Sequence, residues 1–180
     1  MATWRRQIEA LSTSYTVVAW DTPGSGESSD VPESFRLPDY ADCLAALVSA
    51  LTLERPVIVG LSFGGALALE FFRRHRAQVG GLFLAGAYAG WAGSLSADTV
   101  EQRLRTSLAA WRSPPADFVS LLLPSMFSAS APADRVADFG ANMAETFRPP
   151  GFSTMAQAMA ESDLREVLPQ IDVAHDCSPW

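Results

Sequence analysis

Ser62 stands between two glycines in Gly60-Leu61-Ser62-Phe63-Gly64, where the apolar run PVIVG ends and GGALALEFFRRHR begins. A strand that turns into a helix with no linker forces its corner residue into a strained backbone conformation. Small neighbours let the two elements approach, and the corner side chain is pushed out above the sheet. The backbone of that corner lies at a helix N-terminus, where N–H groups without acceptors favour a developing oxyanion. Each of these conditions suits a nucleophile. An ordinary N-cap also puts a serine between strand and helix, but it accounts for Ser62 without accounting for Gly60 and Gly64.

A serine hydroxyl needs a base to take its proton and an acid to orient the base. Only two histidines are available. His75 lies thirteen residues along the helix that Ser62 begins, roughly 20 Å away at 1.5 Å per residue, and reads as a surface histidine of the last turn. His175 and Asp176 are adjacent, but a polar pair just ahead of a proline reads as a flexible end. Asp98, with Glu101 three residues on, reads as a helix N-cap. Gly24-Ser25-Gly26 could open a nucleotide-binding turn. It lacks a third glycine at the right interval, and Pro32 and Pro38 follow too soon for a helix to open on it; Asp21 reads as a carboxylate that fixes the loop. With two histidines, and with Cys43 and Cys177 far apart, neither a metal nor a disulfide framework nor a cofactor is expected.

The elements that position these residues follow from periodicity. WRRQIEAL has apolar residues at 4, 8 and 11 and predicts a short helix. YTVVAW (15–20) predicts a buried strand leaving through the turn-rich DTPGSGESSD. Leu44, Leu47, Val48 and Leu51 form the apolar face of a helix over 39–53. PVIVG (56–60) and GGLFLAGA (80–87) read as strands buried on both faces, with a helix between them that ends in a basic turn. Such alternation implies a parallel α/β sheet. Beyond Gly93 the pattern is helical only: Val100, Leu104, Leu108 and Trp111 share one face, and Val136, Phe139, Met143 and Phe147 another. RSPPAD, SASAPAD and FRPPGFS divide this stretch into several helices, as in a lid or cap.

Composition bounds the function. The 180 residues are 48% hydrophobic, enough for one domain with a real core. A net charge of −7, with thirteen arginines and no lysine, argues against nucleic acid or an anionic membrane as partner. The N-terminus has no apolar segment of the signal-peptide kind, and VGGLFLAGAYAGWAGSLSA is too rich in small residues for a membrane span. A soluble, cytoplasmic protein is expected.

The combination resembles the α/β-hydrolase family. VVAWDTPGSGESS is similar to that family's D-x-P-G-x-G-x-S segment, and GLSFGG, GLFLAGA and the helical stretch follow in family order. The resemblance implies a partial α/β-hydrolase fold, with parallel core strands and flanking helices over 1–93, a helical cap over 94–165, and a return to the core with a divergent tail over 166–180. It implies Ser62 as nucleophile and the Phe63 backbone N–H as half of an oxyanion hole. Trp91, Trp111, Met126 and Phe127 are candidates to line a pocket for a small apolar acyl substrate, and core packing accounts for them equally well. The family's oxyanion loop has no counterpart at the front of this sequence, nor do its acid and histidine at the back, so the chain reads as truncated at both ends. The expectation is a serine hydrolase of esters or related acyl compounds, impaired in this chain. The alternatives are a non-catalytic remnant or binding module, and a cofactor-free haloperoxidase or acyltransferase. The strand expected between YTVVAW and PVIVG is missing, so self-association or complementation through unpaired sheet edges is expected too.

Overall fold

A computed structural model describes residues 2–110 and 114–178. Three strands pair in parallel, β1 (Val57–Leu61), β2 (Gly81–Ala85) and β3 (Ala174–Ser178), in the order β1-β2-β3. Around them in sequence run α1 (Arg5–Leu11), α2 (Leu37–Ala50), α3 (Phe63–His75), α4 (Ala97–Ala110), α5 (Pro115–Met126), α6 (Ala133–Thr146) and α7 (Pro149–Glu161). This is the expected parallel α/β arrangement with flanking helices. None of the described helices is long and apolar enough to cross a membrane.

Two compact units share the described residues. Residues 32–108, with those from 153 onward, form the sheet unit; those up to 31, with 109–152, form the helical unit. The helical stretch expected over 94–165 thus contributes to both.

In the sheet unit the central element is α3. Every residue from Gly65 to Phe72 is buried, the signature of a helix enclosed on all sides. It packs on β1, β2 and α2. The two strands are not buried on both faces as expected: Leu82 and Leu84 are buried, whereas Val57, Val59 and Phe83, on the other face, are 63%, 49% and 37% exposed. The outer edge of β1 has no strand neighbour among the described residues.

α2 is tied to the end of α3 by ion pairs. Asp42 accepts from Arg74 Nη2 at 2.7 Å and lies 2.7 Å from His75 Nε2. Those two groups, Arg74 first, hold the Asp42 carboxyl below its ordinary value of 3.8. A carboxyl depressed by folding stabilises the fold above its unfolded pKa, and that contribution disappears as pH falls through the folded value. Asp42→Asn should therefore lower stability modestly at neutral pH, because the pair is solvent-exposed. The difference from wild type should begin to shrink in urea titrations as pH falls below 3.8 and vanish once pH is below the depressed folded value.

In the helical unit, Phe118, Phe147 and Phe152 stack with centroids 4.8–5.2 Å apart. The loop through Gly24 and Gly26 turns at φ 83° and 51°. Asp21 Oδ2 accepts the Glu27 N–H at 3.4 Å, the loop-fixing part expected of it. Arg148 clamps the loop by donating to Asp30 at 2.6 Å and to the Ser28 carbonyl.

Two expectations fail in instructive ways. Residues 15–20 form no strand, and Tyr15 is 68% exposed. An apolar β-branched run becomes a strand only where a ladder accepts its backbone groups, and no described strand pairs with it. Conversely, the tail expected to be a flexible end is β3. Ala174, His175, Asp176 and Cys177 are exposed, and main-chain pairing with β2 over Ala174–Ser178 holds it in place.

Candidate active site

The carboxyl end of β1 runs directly into α3, and Ser62 is the corner. Its backbone sits at φ 53°, ψ −112°, a region that L-residues other than glycine avoid at a cost of about 1–3 kcal/mol. The Ser62 N–H donates to the Ala85 carbonyl at 3.0 Å, and the Ser62 carbonyl accepts the Gly65 N–H at 2.9 Å. The strained corner is thus pinned to the end of β2 on one side and to the first helical turn on the other. Its side chain makes no capping hydrogen bond, which removes the N-cap explanation. Phe63 opens the helix, so its N–H is among the first four that lack an intrahelical acceptor.

The glycines around Ser62 have unequal roles. A Cβ on Gly60 would lie 2.2 Å from the Gly64 carbonyl oxygen and 2.4 Å from its carbon, so Gly60 is the close approach of strand and helix. A Cβ on Gly64 would meet nothing within 4 Å, contrary to the expectation that both flanking glycines serve the approach. The second close contact is Gly65, whose added Cβ would stand 2.3 Å from the Ala87 Cβ. The doubled glycine GLSFGG is the sequence signal for it.

Behind the corner, Tyr40 of α2 is wholly buried, with its ring edge-on to Phe63 at 5.3 Å and to Phe35 at 4.8 Å. Its hydroxyl has no hydrogen-bond partner among the described residues, and burial pushes the phenol above its usual pKa. Together these rings fix the side chain of Phe63.

Neither histidine approaches Ser62. His75 is at the far end of α3, against Asp42 and the Phe71 ring. His175 is in register with Leu82, which pairs with Ile58; four residues along and two strands across put its Cα about 16 Å from that of Ser62. Asp176, one residue further along β3, remains about 14 Å off by the same count. His175 Nδ1 lies 3.0 Å from the Val173 carbonyl. Asp98 is in the first turn of α4 but does not cap it: Ser96 Oγ accepts the Thr99 N–H at 3.3 Å, because the shorter hydroxyl one residue outside the helix reaches that donor.

The residues expected to line a pocket are divided. Trp91 belongs to the sheet unit, half-buried in the loop after β2, with its N–H bonded to the Met159 carbonyl at 2.8 Å. Arg103 of α4 lies over its ring and over that of Tyr88, a cluster that no sequence pattern announced. Met126 and Phe127 belong to the helical unit. Phe127 meets Phe139 edge-on at 5.3 Å and borders an open apolar groove of about 420 Å³ with Leu123, Pro124 and Val136. Trp111 lies outside the described residues. Among those described, no group of three or more His, Cys, Asp or Glu side chains could hold a metal ion.

Known proteins resemble this chain in sequence and in fold. The sequence profile of the alpha/beta hydrolase fold matches residues 1–163. The 3-oxoadipate enol-lactonase 1 of Acinetobacter baylyi is 27% identical over 179 residues, covering 94% of this chain and 62% of the lactonase. The poly(3-hydroxyalkanoate) depolymerase of Ectopseudomonas oleovorans is 36% identical over 83 residues, covering 46% of this chain and 29% of the depolymerase. Among solved structures, a thermophilic esterase from Thermogutta terrifontis with malate bound superposes with a TM-score of 0.85 at 27% identity, over 99% of this chain and 66% of the esterase. The chain therefore spans less than two thirds of these relatives' lengths.

Proposed function

The chain belongs to the alpha/beta hydrolase fold family, and from that premise we propose that it is a serine acyl-transfer protein acting on carboxylic esters or lactones through Ser62. The observation that carries this reading is the corner itself: a strained serine at φ 53° whose hydroxyl caps nothing, at the start of a buried helix. Ser62 Oγ attacks the acyl carbon, the carbonyl oxygen takes up the negative charge, and the Phe63 N–H receives it. The acyl C–O bond then breaks, its oxygen taking up the proton that Ser62 lost, and the acyl group remains as an ester on Ser62; an ester releases its alcohol, whereas a lactone opens and keeps the hydroxyl on its acyl chain. The serine proton must pass to a base during attack, and neither histidine of this chain is within reach. Loss of the base from such a site costs roughly 10⁶ in kcat, so the chain on its own acylates slowly and turns over more slowly still. Relatives whose names denote a lactonase and a depolymerase, and an esterase among the structures, support an ester-like substrate.

Prolonged incubation with a neutral organophosphonate, followed by peptide mass analysis, tests this. One phosphonyl group should accumulate on Ser62 and be absent from Ser62→Ala. An unmodified Ser62 after exhaustive incubation would instead favour a non-catalytic binding module, the reading supported by the distance of both histidines from the corner.

A further inference from the structure

Among the arginines of the sheet unit, Arg103 is held by aromatic rings, whereas Arg55, also without a carboxylate ion pair among the described residues, donates to the Val79 carbonyl. The Arg103 guanidinium carbon lies 5.3 Å from the Tyr88 ring centroid and 5.9 Å from that of Trp91, and its Nη2 donates to Tyr88 Oη at 3.4 Å. Arg105, two residues on, pairs with Glu101, and the arginines of α3 pair with Glu70 and Asp42. Arg103 has no carboxylate partner among the described residues. Stacking engages the faces of a guanidinium and leaves its edge free, where a planar fork of N–H donors matches a carboxylate in two parallel bonds.

The location gives the cluster its meaning. Tyr88 is three residues beyond Ala85, whose carbonyl holds the Ser62 N–H, so their Cα atoms are within about 11 Å of one another. Ala87, between them, packs on Gly65. Tyr88 thus follows directly on a residue packed against the first turn of α3, three residues from Ser62.

We infer that Arg103, held on Tyr88 and Trp91, is a carboxylate-binding site, and that the compounds handled at Ser62 carry a free carboxylate remote from the reacting acyl group. The second half of this rests on the reading of Ser62 given above. A single guanidinium on a chain of net charge −7 suits one carboxylate and disfavours polyanions.

The test uses adipate as a probe in titration calorimetry of the full chain at low salt. Adipate should bind saturably at one site and dimethyl adipate should not. Arg103→Gln should weaken adipate about tenfold to a hundredfold, the value of a charge-assisted bidentate contact, and Arg103→Lys should weaken it less. Adipate should also slow phosphonate labelling of Ser62 in the wild type but not in Arg103→Gln. Adipate binding that is absent, or unchanged in Arg103→Gln, would overturn the site. Adipate binding that depends on Arg103 while Ser62 stays unlabelled would leave the anion site standing and overturn the nucleophile.

Discussion

Ser62→Gly should raise the stability of the fold while abolishing its reaction with an organophosphonate. Ser62 occupies φ 53°, ψ −112°, where a Cβ is penalised by about 1–3 kcal/mol. Removing the Cβ relieves that penalty. Against it stands the greater freedom of glycine in the unfolded chain, about 0.5–1 kcal/mol. Nothing else is lost on the native side, because the hydroxyl caps nothing and the two backbone bonds, to Ala85 and from Gly65, do not involve the side chain. The balance is a gain of about 1 kcal/mol, read as a higher urea midpoint with an unchanged slope. Ser62→Ala separates strain from chemistry: it also removes the hydroxyl but retains the Cβ, so its midpoint should stay near wild type. A midpoint for Ser62→Gly below that of wild type would show that no strain resides at the corner. Stability gained by deleting a side chain indicates that the residue is kept there for something other than folding.

The corner was legible in the sequence because its requirements are local. A buried strand, a helix and no linker leave one residue to make the turn, and glycine two residues before it is demanded by the approach of backbone to backbone. The α2 helix was legible from its 3.6-residue period, but its face was not: of Leu44, Leu47, Val48 and Leu51 only Val48 is buried, and the packed face is Leu37, Tyr40, Ala41, Ala45 and Val48. Strands were less legible. YTVVAW has the composition of a buried strand, but pairing is a property of the neighbour, and periodicity is silent about whether a neighbour is present. The same blindness worked in reverse for β3, where AHDCS offers no apolar alternation and the main chain alone makes the ladder. Arg103 was invisible for a third reason: it reads as the polar face of an amphipathic helix until the loop after β2 folds Tyr88 and Trp91 beneath it.

The two glycines that flank Ser62 should respond in opposite ways to the same methyl group. In Gly60→Ala the new Cβ would fall 2.2 Å from the Gly64 oxygen, 2.4 Å from its carbonyl carbon and 2.6 Å from the Gly65 nitrogen. All three are backbone atoms, so no rotamer change relieves the clash, and strand and first helical turn must separate. Overpacking of this kind costs about 1–3 kcal/mol where side chains can yield and more where they cannot. About 3 kcal/mol or more is expected here, a large part of the 5–15 kcal/mol of an ordinary domain. Because that separation also breaks the bond from Ser62 to Ala85, phosphonate labelling should fall with stability. Gly64→Ala adds its Cβ to open space near the start of a helix, where alanine is favoured over glycine by up to about 1 kcal/mol. That variant should be as stable as wild type or more so. Chemical denaturation of the two variants side by side decides the matter. Equal destabilisation would mean that the motif needs glycine for its conformation at both positions. The opposite signs expected here would assign the approach of β1 and α3 to Gly60 alone, leaving the space above Gly64 for whatever the corner serine meets.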